Sequence, residues 1–111
     1  MLLKSAMNGA TLVIRVAEDR IDAAGAIQFK ERMRDLIQTP CDRVILDLGQ
    51  VHFLDSSGLG AVVAVMKLLA PERKLELAAL TPTVAKVFRL TRMDSVFTIY
   101  PALAEGLRDA G

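Results

Sequence analysis

The chain has 111 residues, 14 of them basic and 13 acidic, and a hydrophobic fraction of 52%. That length and composition suit one domain spanning residues 1–111, with a core that needs neither disulfide nor metal to hold it. Charges that nearly cancel provide no basic field for nucleic acid or an anionic membrane, so any macromolecular partner would be met by shape and apolar contact.

Residues Met1 to Ala10 lack the apolar region of a signal peptide, and a short strand is expected within residues 2–6. Thr11 to Val16 alternates: Leu12, Ile14 and Val16 share one side, Thr11 and Arg15 the other, as in a strand with one face more buried. Glu18 to Asp22 reads as a polar connection, with Asp22 placed to cap the helix that follows. Within Ala23 to Gln38, Ala26, Phe29, Met33 and Leu36 recur at helical spacing beside Ile37. Thr39-Pro40 ends that helix, because a residue before proline avoids helical geometry. Cys41 is the single cysteine, which excludes an intrachain disulfide and a cysteine-built zinc site.

Arg43 to Leu48 is an almost unbroken apolar run with two branched residues, the pattern of a strand covered on both faces. Gly49-Gln50 is a turn. Then comes the most informative stretch, Val51-His52-Phe53-Leu54-Asp55-Ser56-Ser57-Gly58-Leu59-Gly60. An apolar approach stops at an acid and two hydroxyls, and an almost uncharged helix from about Ser57 to Ala70 follows. Only Lys67 is charged between Gly58 and Leu69, whereas a surface helix usually carries several charges on its outer side. This helix is therefore either covered on two sides or presents an apolar face to a partner. Its apolar run is far short of the roughly 20 residues of a membrane span, and a cytoplasmic location is expected. Val62, Val63, Met66 and Leu69 are assigned to its sheet side. Leu59, Ala61, Val65 and Leu68 are directed at least partly elsewhere.

Pro71 limits the helix, and Lys74 to Leu80 alternates as a strand, with Leu75 and Leu77 opposite Glu76. Thr81-Pro82 starts a further helix with a capping hydroxyl and a first-turn proline; Val84, Val87 and Phe88 form its buried side. Asp94-Ser95 breaks the chain, Val96 to Tyr100 suits a last strand, and Pro101 opens a terminal helix that Gly106 weakens. Strands alternating with helices predict an α/β fold with a largely parallel or mixed sheet.

Three chemistries compete for the Asp55-Ser56-Ser57-Gly58 stretch. A nucleophile elbow needs glycine two positions before the serine, where Leu54 stands, and a separate base, whereas His52 is the only histidine. A dinucleotide fingerprint beginning at Gly58-Leu59-Gly60 would place Val63 where a small residue must pack. Neither enzymatic reading stands, and no cofactor is implied. What remains is a helix start whose unpartnered amides and positive dipole end suit either simple capping by Asp55 and Ser56 or a serine that carries a phosphate.

The stretch from Arg43 to Met66 resembles the STAS domain family, in particular the small anti-sigma factor antagonists. The strand Val-Ile-Leu-Asp-Leu, the aromatic Phe53 and the hexapeptide Asp-Ser-Ser-Gly-Leu-Gly carry the likeness. Ile21-Asp22 matches an earlier motif, and Val84 to Leu90 a later helix. The resemblance implies a mixed sheet of four to five strands packed by about four α-helices. It also implies phosphorylation at Ser56, with Asp22, Asp55, Ser56, Ser57, Gly58, Leu59 and Gly60 at the partner surface. The implied partners are an anti-sigma factor serine kinase with a histidine-kinase-like ATPase fold and a metal-dependent serine phosphatase. Such an antagonist is expected to be a monomer when free and to have no catalysis of its own. The competing reading is a stand-alone accessory subunit of a membrane transporter complex. Two loops depart from the family pattern: Ala17 to Asp22 is one residue longer, and Thr91-Arg92-Met93 stands where many members have Ser/Thr-Gly-Leu.

Overall fold

A computed structural model describes residues 1–108. Seven strands and four α-helices follow one another as β1 (Leu3–Asn8), β2 (Thr11–Val16), β3 (Arg20–Ile21), α1 (Ala26–Leu36), β4 (Arg43–Asp47), β5 (Phe53–Leu54), α2 (Ser56–Leu69), β6 (Leu75–Ala78), α3 (Pro82–Leu90), β7 (Ile99–Tyr100) and α4 (Leu103–Arg108). Five strands form one mixed sheet in the order β1-β2-β4-β6-β7. Only the β1–β2 hairpin is antiparallel; β2, β4, β6 and β7 run parallel. The expected mixed α/β sheet with its helices is therefore present.

Strand alternation divides the side chains. Leu12, Ile14, Val16, Val44, Leu46, Leu75 and Leu77 point to one face, where Phe29 and Met33 of α1, Val62 and Val65 of α2, and Val84 and Phe88 of α3 bury them. Phe97 joins that core edge-on to Phe88, ring centroids 5.8 Å apart. Ile45 points to the other face, where α4 covers it. Beneath α4, Arg43 Nη2 reaches Glu76 Oε1 at 2.6 Å and the Gly106 carbonyl at 3.0 Å. Burial works against the charged guanidinium, but Glu76 and then Tyr100 outweigh it and raise its pKa above the ordinary value. The guanidinium therefore stays charged at neutral pH and loses its proton only in strong base. Gly106, which would weaken an isolated helix, has a packing role: a Cβ there would stand 2.8 Å from Tyr100 Cδ2 and 3.2 Å from Ile45 Cδ1.

Several local expectations change. The polar connection contains β3, which pairs parallel with β5 in a second, two-stranded sheet. Helix α1 starts at Ala26, not Ala23, because Asp22 first closes a turn: its Oδ1 accepts from the amides of Ala24 at 3.1 Å and Gly25 at 3.3 Å. Asp22 thus builds the approach to the helix, while Gly25 occupies the cap position without a side-chain bond. Thr81 does sit at the N-cap of α3, yet its hydroxyl donates to the Val51 carbonyl at 2.7 Å and makes no capping bond. The last strand shrinks to Ile99–Tyr100. In the Thr91-Arg92-Met93 loop, Arg92 adopts a left-handed conformation, φ 61°, where glycine costs nothing and arginine about 1 kcal/mol.

Candidate functional site

The two-stranded sheet aligns two motifs that are distant in sequence. Arg20 pairs with Phe53 and Ile21 with Leu54, so Asp22 and Asp55 leave adjacent strands side by side. Asp55 is the N-cap of α2, in extended conformation. Its Oδ1 accepts from the Gly58 amide at 2.8 Å and its Oδ2 from the Ala23 amide at 3.1 Å. One carboxylate thereby caps a helix and ties the α1 approach to the α2 start. Capping of this kind contributes about 1 kcal/mol.

Gly58 explains how close the two segments can come. A Cβ at this position would overlap the Ile21 carbonyl oxygen and lie 2.8 Å from Leu54 Cδ1. The glycine is buried, so its contribution to a partner surface is indirect: it lets α2 sit directly on β3. Gly60, two residues on, is exposed and has open space where a side chain would be.

Asp55 does the capping, which leaves Ser56 without that task. Ser56 and Ser57 occupy the first two helical positions, both exposed, and their amides lack intrahelical acceptors. Among the described residues the Ser56 hydroxyl has no hydrogen-bond partner. It stands at the positive end of a 14-residue helix, where added negative charge is tolerated by the fold. The bland alternative of a serine cap thus fails for Ser56, because the neighbouring aspartate fills that role.

Around this start lie groups that sequence reasoning did not assign. Phe53 is 42% exposed, and the Arg20 guanidinium sits over its ring, 5.0 Å from the centroid. Arg20 Nη1 also lies 3.4 Å from Asp22 Oδ2. The alternation around buried Leu54 was the available signal for an outward Phe53. Nothing in the sequence indicated that Arg20 would cover it, because that requires the β3–β5 pairing.

The uncharged helix resolves into both of its expected alternatives. Ala61, Val62, Val65 and Leu69 are buried between the sheet and α1, so Ala61 and Val65 face inward rather than elsewhere. Val63 and Met66, assigned to the sheet side, are only half-buried. Leu59, Val63 and Met66 form a partly open flank leading away from Ser56, and Leu68 is 47% exposed. Asp22, Asp55, Ser56 and Ser57 are therefore gathered at one end of α2, with Leu59 and Gly60 on its first turns. Among the described residues no group of His, Cys, Asp and Glu could hold a metal ion, and no helix is long and apolar enough to cross a membrane.

A family model of the STAS domain matches residues 4–106. The chain is 29% identical over 89 residues to BtrV of Bordetella bronchiseptica, provisionally described as an anti-sigma factor antagonist; the match covers 79% of this chain and 77% of that protein. The crystal structure of an anti-sigma factor antagonist from Mycobacterium paratuberculosis superposes with a TM-score of 0.85 at 24% identity, over 97% of this chain and 94% of that one. The antagonist SpoIIAA is similar in fold in its unphosphorylated form, TM-score 0.73 at 24% identity over 96% and 93% of the two chains. The phosphorylated form from Bacillus gives 0.69 at 22% identity, over 99% and 100%.

Proposed function

The chain belongs to the STAS domain family, and from that premise we propose that it is an anti-sigma factor antagonist in a partner-switching pathway, with Ser56 as its phosphorylated residue. The observation that carries this reading is the division of labour at the α2 start: Asp55 caps, and the exposed Ser56 hydroxyl is left without an internal partner. A description of BtrV as an antagonist and a solved phosphorylated SpoIIAA support it from outside the chain.

In its unmodified form the chain docks onto an anti-sigma serine kinase and thereby frees a sigma factor. The surface comprises Asp22, Asp55, Ser56, Ser57, Leu59 and Gly60, with Gly58 holding it together from beneath. The kinase, of the histidine-kinase-like ATPase type, supplies nucleotide and metal; this chain contributes a hydroxyl acceptor and performs no catalysis. A metal-dependent serine phosphatase resets the switch. Phosphorylation adds about −1.5 to −2 charge beside Asp55 and Asp22, on a surface shaped for a neutral hydroxyl. The helix dipole and free amides accommodate that charge in the free protein, so the fold stays intact. Docking would require its desolvation next to two carboxylates, and a penalty of about 3–4 kcal/mol weakens binding several-hundred-fold.

The experiment uses wild type, Ser56→Ala and Ser56→Asp as bait in a lysate of the host bacterium, with captured proteins identified by mass spectrometry. The captured kinase is then incubated with each bait, ATP and magnesium, and the phosphate is mapped. Capture of an ATPase-type kinase by wild type and Ser56→Ala but not Ser56→Asp, with phosphate on Ser56, is the expected result. Phosphate confined to Ser57, or equal kinase capture by all three baits, overturns it. Equal capture of transporter subunits by all three assigns the chain to the accessory-subunit role instead.

A further inference from the structure

The two edges of the main sheet differ. At one side β7 is two residues long, a short edge of the kind proteins use to avoid strand addition. At the other, β1 is six residues in unbroken register with β2, contains no proline, and carries exposed residues from Lys4 to Asn8. We propose that this edge pairs antiparallel with β1 of a second copy of the chain, across a twofold axis at Ser5, making one continuous sheet.

The hairpin determines which backbone groups are available. Gly9 and Ala10 form its two-residue loop, with Gly9 at φ 59°, and Asn8 pairs with Thr11 to close it. Hydrogen-bonded pairs alternate along an antiparallel ladder, and at its far end the Ala17 amide donates to the Leu2 carbonyl at 3.0 Å. Lys4, Ala6 and Asn8 therefore spend their backbone groups on β2, while Leu2 donates its amide to Glu18 Oε1 at 2.8 Å and accepts from Ala17 at its carbonyl. Leu3, Ser5 and Met7 turn theirs outward, to the open edge.

A twofold axis normal to the sheet opposes residues of equal parity only, because each strand's alternate side chains must stay on their own face. Centred on Ser5, it places Ser5 opposite Ser5 and Leu3 opposite Met7 of the second copy. All three outward residues then lie in hydrogen-bonding pairs. Lys4 falls opposite Ala6, so the single charge on the edge meets no like charge. The pairing also sets the 44%-exposed Met7 beside Leu3. Centring on Lys4 instead would oppose two ammonium groups, and centring on Ala6 would send Leu3 past the end of the strand to Gly9. Strand pairing of this length buries an interface at the small end of the range, so the dimer is weak and reversible. It departs from the monomer that the family resemblance implies. It uses none of the residues at the α2 start, so it stands or falls separately from the proposed function.

The test is sedimentation velocity of the whole chain from about 10 µM to about 1 mM, the span of weak affinities. The expected result is an average mass that climbs from the monomer's 12.1 kDa toward twice that value. Ser5→Lys opposes two charges at the axis; it weakens association at least about tenfold and leaves the thermal melt of this exposed position unchanged. Register is tested in a Cys41→Ser background. Ser5→Cys should cross-link under mild oxidation at least about tenfold faster than Ala6→Cys, because directly opposed Cα atoms about 5.5 Å apart suit a disulfide. A constant monomer mass, unaltered association of Ser5→Lys, or faster cross-linking of Ala6→Cys overturns the proposal.

Discussion

Two polar clusters in this molecule make opposite use of their charges. Under α4, Arg43 bonds Glu76, Tyr100 and the Gly106 carbonyl through Nε and Nη2 while its Nη1 is buried without a partner, and side-chain exposures are only 21% for Arg43 and 13% for Glu76. At the start of α2, Asp55 spends both oxygens on backbone amides, Asp22 spends one on amides and the other on Arg20, and the hydroxyls beside them are left over. The first cluster is enclosed, and its bonds tie β4, β6 and α4 together. The second is a rigid frame around something the fold does not use. A solvent-exposed polar group left over by committed neighbours is a better sign of function than a charge as such, and by that measure Ser56 stands out while the largely enclosed Arg43 does not.

Substitutions can break or sharpen this contrast. The largest loss of stability is expected for Gly58→Ala. Helix propensity alone would favour alanine by about 1 kcal/mol, but collision with the Ile21 carbonyl reverses the sign to a loss of about 3 kcal/mol. A denaturant titration decides it, and a stabilised variant would show that α2 does not rest on β3. Next is Glu76→Ala, which strands the partly buried Arg43 and should cost about 2 kcal/mol by thermal melt. Capture of the proposed kinase by the folded protein should be unchanged, and a loss there would join the two clusters functionally.

A smaller effect, about 1 to 1.5 kcal/mol, is expected for Asp55→Ala, which removes both the cap and the tie to Ala23. Asparagine keeps the capping oxygen, so Asp55→Asn should recover most of the stability; if it recovers none, the carboxylate charge rather than the cap is what matters. The smallest is Gly60→Ala, with open space around the new methyl: stability rises by about 0.5 to 1 kcal/mol. Should the same variant bind the kinase less well, a partner backbone passes close to Gly60. Unchanged binding places the interface elsewhere on the helix.

Much of this was legible from local pattern. Alternation marked β2 and β6, the continuous apolar run marked β4 as covered on both faces, and helical spacing marked Ala26, Phe29 and Met33 as buried. The hexapeptide from Asp55 to Gly60 marked the candidate site. What escaped were features that exist only between segments. Strand β3 is two residues long and has no periodicity to read; it forms because β5 lies beside it. Ala61 and Val65 read as pointing at least partly elsewhere than the sheet, since a uniformly apolar helix has no polar side from which to infer its orientation; packing of α1 against α2 buries them. Thr81 satisfied every local rule for a cap and yet spends its hydroxyl on the Val51 carbonyl, thirty residues away. Gly106, a weak helix residue in isolation, is the one that fits under Tyr100.

By itself the sequence determined the order of the longer elements, most of the strand and α1 core and the position of the candidate serine, because these depend on periodicity and on the chemistry of neighbours along the chain. Only the tertiary structure decided that Asp55, not Ser56, caps α2, that Arg20 shields Phe53, and that β1 is left with an open edge. Each of those outcomes is a competition for one hydrogen bond or one contact among segments far apart in sequence, and it is settled only when the fold brings the competitors within reach.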